Sequence, residues 1–394
     1  MSQNVVNRIR LLEIPGEVCQ VMARIREQGG QVYVVGGLIR DWVWHPEMSR
    51  PATLDWDLVT DLPPEHLRKL TAMTHAGERF GTYRFGPHIE VTVMRSEANY
   101  ADGRHPSQVA WTNDIHQDLA RRDFTVNAVA YDGESLYAAA GAIEDLAARK
   151  IRAVGDPRVR FHEDALRILR MARLAGNHQA SIDEETRHAG RSQVMLTRSV
   201  SRERRLHEMV RFLASPLDDW PLWDDLGLDV AWEWPEAPRP APLWRLFVTA
   251  PTSPAARLLA YFLMRYPWHG AALRSWTESW PLPRAWRLAL GHFGRDGELN
   301  VKQWCRIARW ERHPYTWLYR DLALAAGCTA EELSPRTLAV TASDLGERWA
   351  IRGRAVKDVL AYLHEAVERD PRLNEPKKLA ALIQDWQARH ERQS

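Results

Sequence analysis

The sequence has few cysteines, no long apolar run and almost no net charge. Cys19, Cys305 and Cys328 have neither metal-ligand spacing nor a secretory context, which predicts reduced thiols and a cytoplasmic location. The amino-terminal residues lack the apolar core of a secretory signal, and no uncharged stretch is long enough to cross a membrane. A net charge of +2 excludes binding of a polyanion through overall charge, so any nucleic-acid surface must be local.

The chain is long enough for several domains. Its 394 residues, 45% of them hydrophobic, predict a globular protein of two to four domains without internal repeats. The 18 tryptophans are interpreted mainly as core residues and as partners of arginine side chains, because many stand at helical spacing among arginines. Stacking on nucleic-acid bases is the alternative.

Two glycines join an apolar run to a helical segment. Residues 32–35 (VYVV) are typical of a strand, and Gly36 and Gly37 precede a helix that contains Arg40. A helix start presents backbone N–H groups and a partial positive charge, which suit an anion such as a triphosphate. For this pattern alone, a plain tight turn is the alternative.

A second run, residues 54–60 (LDWDLVT), alternates in polarity. Successive strand side chains point to opposite faces, so Asp55 and Asp57 lie on one face and the apolar residues on the other. Two adjacent carboxylates repel each other unless a cation lies between them. Together with the glycine turn, they predict a Mg²⁺ site for phosphoryl or nucleotidyl transfer, the alternative being a solvated strand edge.

The patterns around these segments predict further elements. Residues 15–28 are expected to form a helix, and residues 79–85 and 89–94 a hairpin. Glu90 on the second strand is a possible third carboxylate, or a residue that simply faces solvent. Residues 95–106 (RSEANYADGRHP) show no periodicity, which predicts a mobile loop.

From about residue 142 onward the pattern is helical. Residues 162–173 form an amphipathic segment, in which Asp164 and Arg167 are three positions apart and therefore neighbours on one helix. A second helix is expected to begin near residue 199, and a last helical segment to cover residues 340–388. Upstream, Arg121 and Arg122 are flanked by acids, a pattern for which surface ion pairing is the simplest interpretation.

With these residues in view, the chain resembles the class II tRNA nucleotidyltransferases, within the polymerase β-like nucleotidyltransferase superfamily. The resemblance covers roughly residues 30–210. It depends on ordered motifs: GGLIRD with DWDLVT, YADGRHP, RRDFTVNA, GAIEDL with IRAVGDP, EDALRILRMAR and, more loosely, RSVSRER.

The resemblance implies an α+β fold. A polymerase β-like head, with a small mixed sheet and helices, would occupy residues 1–145. It would be followed by all-α domains: a neck for base recognition at 146–215, a body at 216–335 and a tRNA-binding tail at 336–394.

The resemblance also implies roles for individual residues. Asp55 and Asp57 would hold the catalytic Mg²⁺ ions, and Asp164 and Arg167 would read the incoming base. The residues expected to bind the rest of the nucleotide are Gly36, Gly37, Arg40, Arg122, Arg170 and Arg173. Glu90 as a third catalytic carboxylate is a looser transfer.

Base reading by Asp164 and Arg167 also has a physical rationale. Cytosine and adenine present an amino donor beside a ring-nitrogen acceptor, whereas uracil and guanine present a carbonyl beside an N–H. A carboxylate only accepts hydrogen bonds and a guanidinium only donates them, so this pair satisfies C or A and mismatches U or G. An intrahelical ion pair, worth about 0.2–0.5 kcal/mol, is the alternative.

The implied activity is addition of C, C and A to the 3′ end of tRNA, with CTP, ATP and tRNA as partners and no membrane. The alternatives are an A-adding enzyme, a bacterial poly(A) polymerase, or a non-catalytic tRNA-binding protein that has kept the fold. The YADGRHP segment disfavours addition of CC alone, since CC-adding members lack that loop. The sequence leaves the oligomeric state open.

Overall fold

The computed structural model describes residues 2–46, 55–71, 81–100, 106–232, 247–265, 270–293, 305, 308, 316–333 and 338–391. The chain divides into two compact units, one formed by residues 1–238 and 278–281 and the other by residues 239–277 and 282–394. The finer division into head, neck, body and tail stays a prediction. In the described part, no helix has both the length and the apolar character needed to span a membrane.

The first unit contains a six-stranded mixed sheet, as expected. In spatial order its strands are β3 (Thr82–Arg84), β4 (Ile89–Val93), β2 (Trp56–Thr60), β1 (Val32–Val35), β7 (Val129–Tyr131) and β8 (Leu136–Ala138). Neighbouring strands are antiparallel except β2 and β4, which run parallel with Asp57 opposite Glu90. A hairpin cannot join parallel neighbours, and α4 (Pro64–Leu70) lies in the connection between them.

Five helices of the first unit either contact this sheet or pack on a helix that does. They are α1 (Ser2–Arg10), α2 (Gly16–Glu27), α3 (Gly37–Trp44), α5 (Ile115–Ala120) and α6 (Ala142–Ala148). All four residues of β1 are buried, which explains why its sequence is apolar throughout. A core cluster includes Tyr33, Val35, Val59, Met94, Ile115 and Leu119.

Residues 95–106 do not form the expected loop, and that prediction is wrong for the part that the structure describes. Arg95–Tyr100 (β5) and Pro106–Trp111 (β6) pair as an antiparallel ribbon. Residues 101–105 lie outside the described residues. Backbone hydrogen bonds set the register of such a ribbon, so it forms without the apolar alternation that a sequence pattern detects.

After α6 the first unit is helical except for one short strand pair. The helices are α7 (Pro157–Glu163), α8 (Leu166–His178), α9 (Glu184–Ser192), α10 (Arg202–Phe212), α11 (Pro221–Asp225) and α12 (Leu228–Ala231). The strands β9 (Lys150–Ile151) and β10 (Ser181–Ile182) pair in parallel. Ser201 caps α10 by accepting from the backbone N–H of Arg204 at 3.5 Å, which confirms the expected helix start.

Several tryptophans form a buried cluster. Trp223 contacts Trp232, whose ring centroid lies 5.2 Å away, and Trp232 contacts Trp280 at 5.4 Å. The guanidinium of Arg205 lies 5.3 Å from the ring centroids of both Trp232 and Trp280. For these residues the interpretation as core side chains and arginine partners is confirmed.

The carboxy-terminal part is helical where it is described, with helices at Pro254–Arg265, Gly270–Ser279, Arg284–Phe293, Thr316–Ala325, Ala342–Trp349, Arg354–Arg369 and Pro376–Glu391. The single helical segment expected at 340–388 is therefore three helices. Gly353, with a φ of +64°, precedes the second of them, and a 3₁₀ turn at Pro371–Leu373 precedes the third. Their apolar side chains share one core.

Candidate nucleotide and metal site

Asp55 and Asp57 are exposed beside a buried strand face, as the alternation predicts. Trp56 and Leu58 are each 1% exposed, whereas both aspartates reach solvent. The parallel pairing of β2 and β4 places Glu90 opposite Asp57. The carboxylates of Glu90 and Asp57 therefore lie next to each other on one face of the sheet.

The surroundings of Asp57 disfavour its ionised form. Loss of hydration raises the pKa of Asp57, and the charges of Glu90 and Asp55 raise it further, whereas the guanidinium groups of Arg122 and Arg170 lower it. A cation held between these carboxylates would relieve the repulsion, and carboxylate oxygens are the ligands that Mg²⁺ prefers. The donor set therefore fits the expected ion.

The carboxylates beside Asp57 have their own polar partners. His88, in the turn before β4, places its Nδ1 atom 3.1 Å from Asp55 Oδ1. Arg84 donates from Nη2 to Glu90 Oε1 at 2.7 Å. The sequence analysis did not identify His88, because its position depends on how β3 and β4 pair.

The glycine turn forms as expected and leaves room for two arginines. Gly36 precedes α3 with a φ of +81°, and a Cβ atom built on it would lie 3.3 Å from Arg122 Nη1. A Cβ atom on Gly37 would lie 3.3 Å from Arg40 Nη2. Both glycines therefore let a guanidinium approach the backbone closely.

Asp118, which the sequence analysis missed, fixes both arginines of the RRD motif. It accepts from Arg121 Nε and Nη2 at 2.9 and 2.6 Å, and from Arg122 Nη2 at 3.0 Å. Burial raises the pKa of Asp118, but the two arginine charges outweigh that effect and hold it below its usual value. Because the Asp118 side chain is 0% exposed, the ion pairing is internal and the surface interpretation is wrong. The spacing of four between Asp118 and Arg122 was the available signal.

Asp123 connects the RRD motif to helix α8. Arg170 donates from Nε to Asp123 Oδ2 at 2.8 Å, and its Nη2 lies 2.6 Å from the same oxygen. Burial raises the pKa of Asp123, yet the Arg170 charge and hydrogen bonds from Asn127 and Arg170 hold it well below its usual range. Like His88 and Asp118, Asp123 was not singled out from the sequence.

Asp164 and Arg167 do not share a helix, so their expected geometry is wrong. Asp164 is extended, with φ −147° and ψ 103°, between the end of α7 and the start of α8. Its Oδ1 accepts from Leu166 N at 3.0 Å, and Arg204 Nη2 lies 3.3 Å from its Oδ2. Arg167 on α8 donates instead to Glu163 Oε2 at 2.9 Å. The intrahelical ion pair between Asp164 and Arg167 is therefore not the arrangement found, and their base-reading role stays a prediction.

Electrostatic interactions connect the metal pair to the base-reading pair. Arg170 lowers the pKa of Asp57, and Asp164 raises the pKa of Arg170. Arg167 lowers the pKa of Asp123, the partner of Arg170. Asp57, Arg170, Asp123, Asp164 and Arg167 therefore interact through their charges, and their joint action on one nucleotide stays a prediction.

Arg173 has a structural partner. Its Nε donates to Glu208 Oε2 on α10 at 2.6 Å, and both side chains are buried. The pair ties α8 to α10, and the expected contact of Arg173 with the nucleotide stays a prediction.

We expect Arg173→Ala to lower the free energy of unfolding by about 3–5 kcal/mol, because Glu208 would be left as an unpaired buried charge. Urea denaturation measures this. Replacing both residues, Arg173→Met with Glu208→Leu, is expected to recover most of the loss. Normal stability together with lost CTP binding in Arg173→Ala would instead favour direct contact with the nucleotide.

Within the described residues, Asp41, His45 and His178 form a group with metal-ligating atoms inside 4.8 Å of one another. Two observations disfavour a cation there. Arg40 Nε and Nη2 already occupy Asp41 Oδ1 at 2.9 and 2.7 Å. Burial and then neighbouring positive charges, that of Arg40 first, lower the pKa of His178 to about 3. The group is therefore interpreted as a packing contact between α3 and the end of α8.

The lowered pKa of His178 predicts acid sensitivity. Between its ordinary value of 6.5 and about 3 the unfolded chain binds a proton that the folded protein excludes. The stability contribution is complete above pH 6.5 and is lost as the pH falls towards 3. We expect His178→Gln to flatten this part of the pH–stability curve in thermal unfolding, whereas His188→Gln, at an exposed position of α9, leaves it unchanged. Equal slopes for wild type and His178→Gln would contradict the assignment.

Comparisons with known proteins match both halves of the chain. The family model described as "Poly A polymerase head domain" matches residues 32–152. A CCA-adding enzyme of Geobacillus sp. (strain WCH70) is 36% identical over 201 residues, 50% of this chain and 48% of that relative. The chain thus spans about half the length of several curated relatives that it matches. A CCA-adding enzyme of Bacillus licheniformis is 30% identical over 399 residues, 93% of this chain and 96% of that relative.

Solved structures agree in fold over nearly the whole chain. The crystal structure of the Bacillus stearothermophilus CCA-adding enzyme in complex with CTP has a TM-score of 0.65 at 24% identity, over 95% of this chain and 98% of that one. The Thermotoga maritima CCA-adding enzyme complexed with tRNA has a TM-score of 0.65 at 16% identity, over 97% and 98%. At these identities the likeness shows the α+β fold, and the family model identifies the polymerase-type head at residues 32–152.

Proposed function

Because the chain belongs to the CCA-adding enzyme family, we propose that it adds C, C and A to the 3′ end of tRNA, using CTP and ATP and releasing pyrophosphate. The observation that carries this proposal is that the positive charges of Arg122 and Arg170 lower the pKa of Asp57, against the larger effect of its burial. This interaction supports a single site that contains the expected metal ligands and two of the expected nucleotide-binding groups. The sequence has only three cysteines, a composition that favours action in the cytoplasm.

We propose that Asp55 and Asp57 hold the Mg²⁺ ions, with Glu90 adjacent to Asp57. When bound, Mg²⁺ lowers the pKa of the attacking 3′-hydroxyl and neutralises charge on the departing pyrophosphate. Arg40 and Arg122 lie against the glycine turn, where the triphosphate is expected, and supply positive charge as negative charge builds up.

Asp164 and Arg167 are proposed to select the base without a template strand. Their separate partners, Arg204 and Glu163, fix each side chain independently, so that neither needs the other to hold its position. A mismatched base would leave buried polar groups unpaired, at about 1–3 kcal/mol each. Two such mismatches suffice to reject U and G.

The test uses tRNA transcripts that end at the discriminator base, at C and at CC. CTP and ATP are supplied singly and together with Mg²⁺, and product lengths are read on a gel. The proposal expects CCA completion on the first transcript and loss of all addition with EDTA. Addition of A to the CC transcript alone would identify an A-adding enzyme, and an untemplated A tail on other RNAs a poly(A) polymerase. No incorporation under any condition would leave a tRNA-binding protein.

A further inference from the structure

Asn127 lies between Arg40 and Asp123, which come from different parts of the first unit. It ends the 3₁₀ turn Thr125–Asn127 and is 5% exposed. Its Oδ1 accepts from Arg40 Nη1 at 2.6 Å, and its Nδ2 donates to Asp123 Oδ1 at 3.0 Å. The sequence motif RRDFTVNA contains Asn127, which is not among the residues expected to bind the metal or the nucleotide.

An amide is the side chain that this position requires. A guanidinium can only donate and a carboxylate can only accept, so the group between Arg40 and Asp123 must accept at one end and donate at the other. The two neighbours also fix which end of the Asn127 amide is oxygen. An aspartate would keep the contact with Arg40 but would place an acceptor against the acceptor of Asp123.

The contacts continue on both sides of the amide. Arg40 donates from Nε and Nη2 to Asp41 Oδ1 at 2.9 and 2.7 Å. On the other side, Arg170 of α8 lies with its Nε and Nη2 atoms 2.8 and 2.6 Å from Asp123 Oδ2. Every link from Asp41 to Arg170 is thus 3.0 Å or shorter. Charged groups make most of these hydrogen bonds, which are the stronger class.

We propose that Asn127 is a positioning residue, which holds Arg40 on α3 and, through Asp123, Arg170 on α8 in one fixed relation. This rests on the proposed function, in which Arg40 binds the triphosphate and Arg170 acts beside the base-reading residues. One amide then sets the distance between the triphosphate contacts and the helix that carries the base contacts.

Two variants distinguish the effect of the Asn127 hydrogen bond with Arg40 from that of its hydrogen bond with Asp123. Asn127→Ala removes both hydrogen bonds, whereas Asn127→Asp has the same size, keeps the acceptor for Arg40 and loses the donor to Asp123. Binding of CTP, ATP and inorganic pyrophosphate to the full chain with Mg²⁺ is measured by calorimetry. We expect both variants to bind CTP and ATP about tenfold or more weakly. Pyrophosphate, which contacts only the triphosphate end, should bind to Asn127→Asp as to wild type and more weakly to Asn127→Ala.

The controls distinguish positioning from a loss of fold. Asn7→Asp makes the same chemical change at an exposed position of α1 and should bind all three ligands normally. Thermal unfolding is recorded for every variant. Parallel losses of nucleotide and pyrophosphate binding in both variants, or CTP binding within twofold of wild type, would overturn the positioning role. A wild-type protein that binds neither nucleotide would instead overturn the proposed function.

Discussion

An Asp57→Asn protein is expected to lose nucleotide incorporation by about a thousandfold or more, while its free energy of unfolding at neutral pH rises. Removing a metal ligand costs several kcal/mol of transition-state stabilisation, which corresponds to about this factor. The gain in stability has a separate cause, since burial and the charges of Glu90 and Asp55 disfavour the ionised form of Asp57.

The sign of the stability change follows from the raised pKa of Asp57. A folded-state pKa above the unfolded value of 3.8 means that ionisation favours the unfolded chain. Wild type therefore loses stability as the pH rises through that raised pKa, and Asp57→Asn does not. Denaturation at several pH values measures this, with labelled CTP incorporation as the activity assay.

Glu134→Gln is the matched control, since Glu134 is an exposed acid in the turn between β7 and β8. It should change neither activity nor stability. If folded Asp57→Asn incorporates nucleotide at the wild-type rate, the metal assignment is wrong. If its stability falls, the repulsion attributed to Glu90 and Asp55 is wrong.

The double variant Asp164→Ala with Arg167→Ala is expected to lose most of its preference for C and A over U and G. The two mismatched contacts cost about 1–3 kcal/mol each, so discrimination between CTP and UTP should fall about a hundredfold or more. The ratio of kcat/KM for CTP and UTP on one tRNA transcript measures it.

The observed hydrogen bonds of Asp164 and Arg167 identify single substitutions that serve as controls for the double variant. Asp164→Ala also removes the hydrogen bond to Leu166 N, which predicts a loss of about 0.5–2 kcal/mol of stability. Asp164→Asn keeps an acceptor for that bond but places an N–H donor against Arg204 Nη2, which also only donates, so it should alter selectivity and lose the contact with Arg204. Glu163→Gln weakens the support of Arg167 and leaves its guanidinium in place. An unchanged preference in the double variant would remove the base-reading assignment.

Local sequence patterns correctly predicted those parts of the site whose conformation depends only on residues adjacent in the chain. The strand, glycine turn and helix at residues 32–44 form as predicted, because Gly36 supplies a positive φ that other residues rarely adopt. Asp55 and Asp57 face away from the core because strand alternation is fixed by the backbone. Both results needed only a few consecutive residues.

Partners distant in sequence could not be predicted. The segment at 162–173 has continuous helical periodicity, yet Asp164 is extended and its carboxylate accepts from Leu166 N, so that the helix is interrupted between α7 and α8. Whether an aspartate interrupts a helix or lies within one depends on tertiary contacts, here Arg204. Arg170 and Arg173 look equivalent in the sequence, but one reaches Asp123 and the other the buried Glu208.

The parallel pairing of β2 and β4 also bears on how the chain assembles. β3 and β4 are joined by a short turn and can associate early, whereas β2 must wait for a long loop to close. We expect Asp57 and Glu90 to meet only after that loop closes. We expect the folding transition state to precede this pairing, so that the repulsion between the two carboxylates speeds unfolding more than it slows folding.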